Sequence, residues 1–162
     1  MLIWYQDKHI TVSFSDVPRV KERFIIPGMD EDIKKSIKRY PYKNCCNLTV
    51  KVEDHKKNKV YEFTIVKGYC FDGASIPGWI LKVVIGAKTD NKFLIAAMVH
   101  DWMCENHEVV GHDRNLSSRV FKGLLLTGGT SKFKSQLMYI GVDNFQRFQK
   151  WKQPKEKDDE NV

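Results

Sequence analysis

Two short stretches of this chain bring together residues able to do chemistry. The first, GYCFDGASIP at Gly68–Pro77, holds Asp72 and Ser75 within a run of small residues. The second, AAMVHDWMCE, holds the adjacent pair His100 and Asp101. A hydrolase can be written from Ser75 as nucleophile, His100 as general base, and Asp72 or Asp101 as the acid that orients it. The same residues also serve a purely structural purpose. Buried polar groups must be paired, so His100 and Asp101 hydrogen-bonding the loop's backbone would lock loop to helix without any catalysis. This lock is the favoured reading. Cys104, one turn after His100, also admits a thiol–imidazole pair. His107, His112 and Asp113 could join His100 or Asp101 around a metal, but NHEVVGHD reads as an exposed surface stretch. Neither a metal nor any other cofactor is expected.

The elements around these residues must place them. On a helix, His100 shares its face with Ala96, Ala97, Met103 and Cys104, a small apolar surface that turns the imidazole inward. Adjacent side chains diverge on a helix, so His100 and Asp101 are each expected to find a partner elsewhere, with the 68–77 loop the natural source. In that loop Gly68 and Gly73 open backbone conformations closed to other residues, and Asp72 before Gly73 suits an Asx turn. The loop is not a phosphate-binding P-loop, since no GK[ST] follows, and it has no dinucleotide fingerprint.

Upstream, residues 10–14 (ITVSF) and 22–26 (ERFII) read as strands. Asp30–Arg39 reads as a short helix with acids first and bases last, broken by YPYKN at 40–44. Leu48–Glu53 and Val60–Val66 alternate β-branched or aromatic residues with charges about HKKN, the clearest hairpin in the chain. Downstream, Asn91–Glu105 carries an apolar face through Phe93, Leu94, Ala97, Met98 and Met103. Leu116–Leu126 is a second helix ended by TGGT. Ser131 caps a third, running to about Trp151 with Phe133, Leu137, Ile140, Phe145 and Phe148 as its buried stripe. Strands first and helices after predict an α+β domain over 1–153, with N-terminal antiparallel strands and a hairpin packed on about three C-terminal helices. Residues 154–162 are expected to be a charged tail, disordered on its own.

Length and composition narrow the class. At 162 residues the chain suits one domain with a real core, and 42% hydrophobic with 29% charged residues excludes wholesale disorder. No apolar run reaches the roughly 18 residues of a membrane helix. No secretory signal is visible at the N-terminus, so synthesis and residence in the cytoplasm are expected. Cys45, Cys46, Cys70 and Cys104 form no CxxC pair and are expected as free thiols. The net charge of +7 could attract nucleic acid, but the bases are dispersed, and an acidic protein partner is at least as good a match. The final helix, ending in Lys150, Trp151 and Lys152, could dock such a partner.

The two motifs together resemble a family of small phage and prophage proteins. Its pattern runs glycine–aromatic–x–x–DGAS–[IV]–P, then A-A-x-x-H-D-x-x-Y, then a helix with an Asp three residues before a Phe, then an aromatic-rich last helix. Gly68, Tyr69, Asp72 to Pro77, Ala96, Ala97, His100, Asp101, Phe121, Leu125 and YIGVDNFQRF carry the resemblance, over about residues 60–150. Two positions depart from it: Cys104 stands for the Tyr, and Ser118 for the Asp. The H-D-x-x-Y helix is also similar to that of secreted and viral phospholipases, where the distant Asp orients the His. Against that pattern the orienting acid is missing here, with Asp113 a substitute at different spacing. The resemblance implies a phage setting, in the host cytoplasm or the virion, and the departures favour a non-catalytic role. The expectation is a virion or assembly component contacting other phage proteins. A small hydrolase of a lipid or cell-envelope bond is the first alternative, and an early protein that binds a host factor is the second.

Overall fold

The computed structural model describes residues 1–73 and 91–148. Among these residues seven strands, β1 (Leu2–Gln6), β2 (Ile10–Phe14), β3 (Val20–Glu22), β4 (Tyr42–Asn44), β5 (Leu48–Asp54), β6 (Lys59–Ile65) and β7 (Cys70–Phe71), precede most of the helix. The helices are α1 (Glu31–Arg39), between β3 and β4, then α2 (Asn91–Glu105), α3 (His107–Val110), α4 (Arg114–Thr127) and α5 (Lys132–Phe148). The fold is α+β, as the order of strand-like and helix-like segments predicts. Among these residues no helix is long and apolar enough to cross a membrane.

Both sheets are antiparallel: β1-β2-β5-β6 forms the larger and β3-β4-β7 the smaller. Alternation sets the larger sheet's inner face, where Leu48, Val50 and Val52 of β5 and Tyr61, Phe63 and Ile65 of β6 are buried. The β5–β6 turn is held by Asp54, whose Oδ1 accepts the N–H groups of Lys56 (3.1 Å) and Lys57 (3.3 Å). Strand β2 is buried along its whole length. The two short strands β4 and β7 fall where the sequence reads as breaker and loop.

Residues 22–26 do not form the expected strand. The strand lies at Val20–Glu22, and Phe24, Ile25 and Ile26 are exposed beyond it. Arg23 explains the departure: its guanidinium donates to the carbonyls of Ser36 (3.4 Å) and Tyr40 (2.9 Å), closing the C-terminal end of α1. At the other end of α1, Asp30 accepts the N–H of Asp32 at 2.8 Å.

Helix α2 buries Phe93 through His100 without interruption, and then Met103 and Cys104. It is a core helix rather than one with a single apolar face, because it packs along α4 and stacks Trp102 on Phe63 of β6 (4.3 Å between centroids, 7° between planes). Helix α4 starts before Leu116, since Asp113 caps it by accepting the Leu116 N–H at 2.7 Å. Its contact with β1 is close enough that a Cβ on Gly123 would clash with the Tyr5 ring.

Helix α5 is rotated from the expected stripe. Ser135, Met138, Val142, Asp143 and Gln146 are buried, whereas Phe133 (71% exposed) and Ile140 (40%) face outward. Polar links to α4 set this rotation, among them Arg114 to the Asp143 carbonyl (2.7 Å), Asn115 to the Tyr139 hydroxyl (2.8 Å) and Lys122 to Gln136 (2.5 Å). Ser131 caps α5 as expected, accepting the Lys134 N–H at 3.3 Å.

Candidate functional site

The placement of His100 follows from its helix face. The imidazole is 2% exposed and lies against Phe121 of α4, with ring centroids 5.1 Å apart. Its Nε2 is 3.6 Å from Cys104 Sγ, one turn along α2, and that thiol lies 3.8 Å from Ser117 Oγ on α4. Its Nδ1 is 3.5 Å from Asp101 Oδ1 but makes no hydrogen bond among the described residues. The expectation that adjacent side chains diverge therefore fails here. Asp101 lies beside the ring, so Cys104, His100 and Asp101 form one line of thiol, imidazole and carboxylate.

The loop reaches α2 by a route the sequence analysis did not assign. Tyr69, two residues before the end of β7, donates its hydroxyl to Glu105 Oε2 at 3.0 Å. Burial pushes the Tyr69 phenol well above its ordinary pKa of 10.0, and the charges of Glu105, Asp101 and Asp72 push it further. Tyr69 thus stays protonated, a fixed donor toward an acidic surface formed by Asp72, Asp101 and Glu105. Glu105 had a legible signal: it lies four residues after Asp101, on the same face of one helix. Gly73, at φ +87°, closes this end of the loop, with its missing Cβ filled by the Tyr42 ring at 2.8 Å.

Of the residues expected at the site, His100, Asp101 and Asp72 fall in this one region. Ser75 lies outside the described residues, as do Lys150, Trp151 and Lys152. Asp113 does not stand in as an orienting acid, being engaged by the cap of α4 and an ion pair with Lys57. Ser118 instead meets an acid from α5: its Oγ donates to Asp143 Oδ1 (3.3 Å) and to the Arg114 carbonyl (3.3 Å). Asp143 is itself paired with Arg114 Nη1 at 3.3 Å.

The stretch after α2 is exposed as expected at Glu108, Val109 and Gly111, but it is not a loop throughout. His107 Nδ1 is 3.0 Å from the Cys104 carbonyl, and residues 107–110 form α3. His112 is 5% exposed and sits edge-on to Tyr61 at 6.2 Å. Burial lowers its pKa from 6.5 to about 4. Among the described residues no three His, Cys, Asp or Glu side chains are grouped so as to hold a metal ion.

Comparison with known proteins adds the family. The family described as a protein of unknown function, DUF1353, matches residues 47–142, which include β5, β6, the start of the loop and α2 to most of α5. An uncharacterized protein, y4iH, from Sinorhizobium fredii (strain NBRC 101917 / NGR234) is 34% identical over 74 residues, 46% of this chain. That match spans 29% of the relative's length. No solved structure matches the chain. With well over half of its residues inside the family match, the chain belongs to the DUF1353 family.

Proposed function

We propose that this chain is a non-catalytic bacteriophage protein, a virion or assembly component whose helical core is scaffold and whose outer surface contacts other phage proteins. One observation carries the non-catalytic part: His100, the only base in the reading of the site, is enclosed at 2% exposure between Phe121 and its own helix. A general base must come within hydrogen-bond reach of the proton it takes, and an imidazole packed into a core has no approach for a substrate. The phage setting rests on the resemblance carried by the DGAS-I-P and A-A-x-x-H-D residues. Support for protein contacts comes from the apolar side chains left outward, Phe24, Ile25 and Ile26 after β3 and Phe133 on α5.

The test is mass spectrometry of purified particles and of assembly intermediates from a lysate of the phage that encodes the chain. The protein is expected at a fixed copy number in one of them. Absence from both overturns the structural role and favours an early protein acting on the host.

The hydrolytic reading keeps one observation in its favour, the line Cys104–His100–Asp101 with spacings of 3.6 and 3.5 Å. A thiolate activated by His100 would be alkylated in the folded protein far faster than Cys70 at neutral pH, and the rate would fall in His100→Asn. In the scaffold reading, Cys104 at 8% exposure reacts more slowly than the half-buried Cys45 and Cys70.

A further inference from the structure

A cleft far simpler than the His100 region lies along the smaller sheet. Lys21 of β3 and Lys43 of β4 are directly opposite each other in the antiparallel register. Like charges placed this way repel and weaken the pairing. Lys67, in the turn after β6, brings a third ammonium to the same cleft, which encloses about 510 Å³ and is lined by Lys21, Lys43, Asn44, Cys45, Lys67 and Gly68. No carboxylate lines it among the described residues, and none of the three lysines has an ion-pair partner there. The larger sheet makes the opposite cross-strand choice, placing Lys51 of β5 directly opposite Glu62 of β6.

The floor beneath the lysines is rigid. Asn44 is fully buried, and its Nδ2 donates to the carbonyls of Cys46 (2.6 Å), Ile65 (3.1 Å) and Val66 (3.0 Å). Its backbone N–H donates to the Tyr69 carbonyl (2.9 Å), and its own carbonyl accepts the Gly68 N–H (3.0 Å). Lys67 is placed by its N–H, which donates to Asn47 Oδ1 at 2.8 Å. The lysine backbones are thus fixed relative to one another before any ligand arrives, which lowers the cost of gathering their charges.

We propose that this cleft is a binding site for a compact phosphate anion of the pyrophosphate or nucleoside-diphosphate class. Lysine recognises phosphate as a point charge and needs no fixed fork geometry. Two directly opposed lysines carry their ammonium groups on flexible stems from one face of the strand pair, so both can converge on a diphosphate, whose two phosphate groups share a bridging oxygen. Successive same-face carboxylates of an extended acidic peptide lie about 7 Å apart, so a converged pair of ammoniums meets only one of them at a time. The volume is that of a small-molecule site. This site is separate from the His100 region, and its ligand does not depend on the scaffold reading.

The test is calorimetric titration of the full chain with sodium pyrophosphate, and in parallel with hexaglutamate, at low and physiological salt. Pyrophosphate is expected to bind, more weakly as salt rises. Lys21→Gln with Lys43→Gln is expected to weaken it about tenfold or more, through loss of two charge-assisted contacts. Lys56→Gln with Lys59→Gln, on the β5–β6 turn, should leave it unchanged. A second readout is Cys45, which lines the cleft: its alkylation should slow with pyrophosphate, while that of Cys70 should not. Absence of both heat and Cys45 protection at millimolar pyrophosphate overturns the site. So does binding that survives the Lys21/Lys43 replacement, and tighter binding of hexaglutamate overturns the phosphate assignment.

Discussion

Asp54 and His100 are buried equally well and held in opposite ways. Asp54, at 1% exposure, receives Arg119 Nη2 at 3.1 Å and the N–H groups of Lys56 and Lys57. His100, at 2%, has a carboxylate at 3.5 Å and a thiol at 3.6 Å, and its Nδ1 makes no hydrogen bond among the described residues. A buried carboxylate is tolerated only with its charge answered, whereas an imidazole packed against an aromatic ring survives with a sparser set of partners. The completely partnered group is therefore the one that stability depends on. The sparsely partnered one is the one the core can give up.

The largest effect is expected where the charge is fully answered. Asp54→Ala strands the Arg119 guanidinium in a half-dry site and removes the acceptor that shapes the β5–β6 turn. A loss of about 3 kcal/mol or more is expected, read as a fall of roughly 10 °C in Tm. A loss under about 1 kcal/mol would place this pair with ordinary surface ion pairs and erase the contrast with His100.

Next comes His112, close in sequence to Asp113, whose ion pair with Lys57 ties α4 to the hairpin turn. Its folded pKa of about 4 lies below the ordinary 6.5, so the unfolded chain binds the extra proton between those values. Stability is then fully present above about pH 6.5 and falls as the pH drops toward 4. The loss is on the order of 2 kcal/mol after allowance for solvent screening. Denaturant melts of the wild type and His112→Phe across pH 7 to 4.5 check this, and the wild type should show the steeper decline. Equal slopes would remove His112 from the account.

A smaller effect is expected at the loop. Tyr69→Phe deletes the hydroxyl that donates to Glu105 and should cost about 1 kcal/mol, measured by urea unfolding. Loss of more than about 3 kcal/mol would mean that the loop-to-helix lock dominates the fold.

The difference between the two groups also shows what could be read in advance. The hairpin was legible because β5 and β6 alternate over seven residues each and HKKN marks the turn between them. The longer helices were legible, with Asp30 and Ser131 marking two of their starts, whereas the four-residue α3 falls in a stretch that reads as exposed loop. Strands of two or three residues such as β4 and β7 leave no periodic trace, so the smaller sheet went unseen, and with it the cleft of Lys21, Lys43 and Lys67. On α5 the bulkiest apolar residues pointed to the wrong face, because links from Arg114, Asn115 and Lys122 fix the rotation and periodicity cannot see them. At the site, His100 turning inward followed from its small apolar neighbours. The Tyr69–Glu105 bond did not, since it joins residues 36 positions apart.

The central claim is that His100 is core and not catalyst, and one replacement tests it most directly. His100→Leu keeps similar bulk against Phe121 and removes the sparsely bonded imidazole. The account predicts a folded protein whose stability changes by less than about 1.5 kcal/mol, as for a volume-conserving core exchange. A variant that folds with unchanged Tm yet loses a hydrolytic activity that the wild type shows would contradict the account and make His100 a catalytic base.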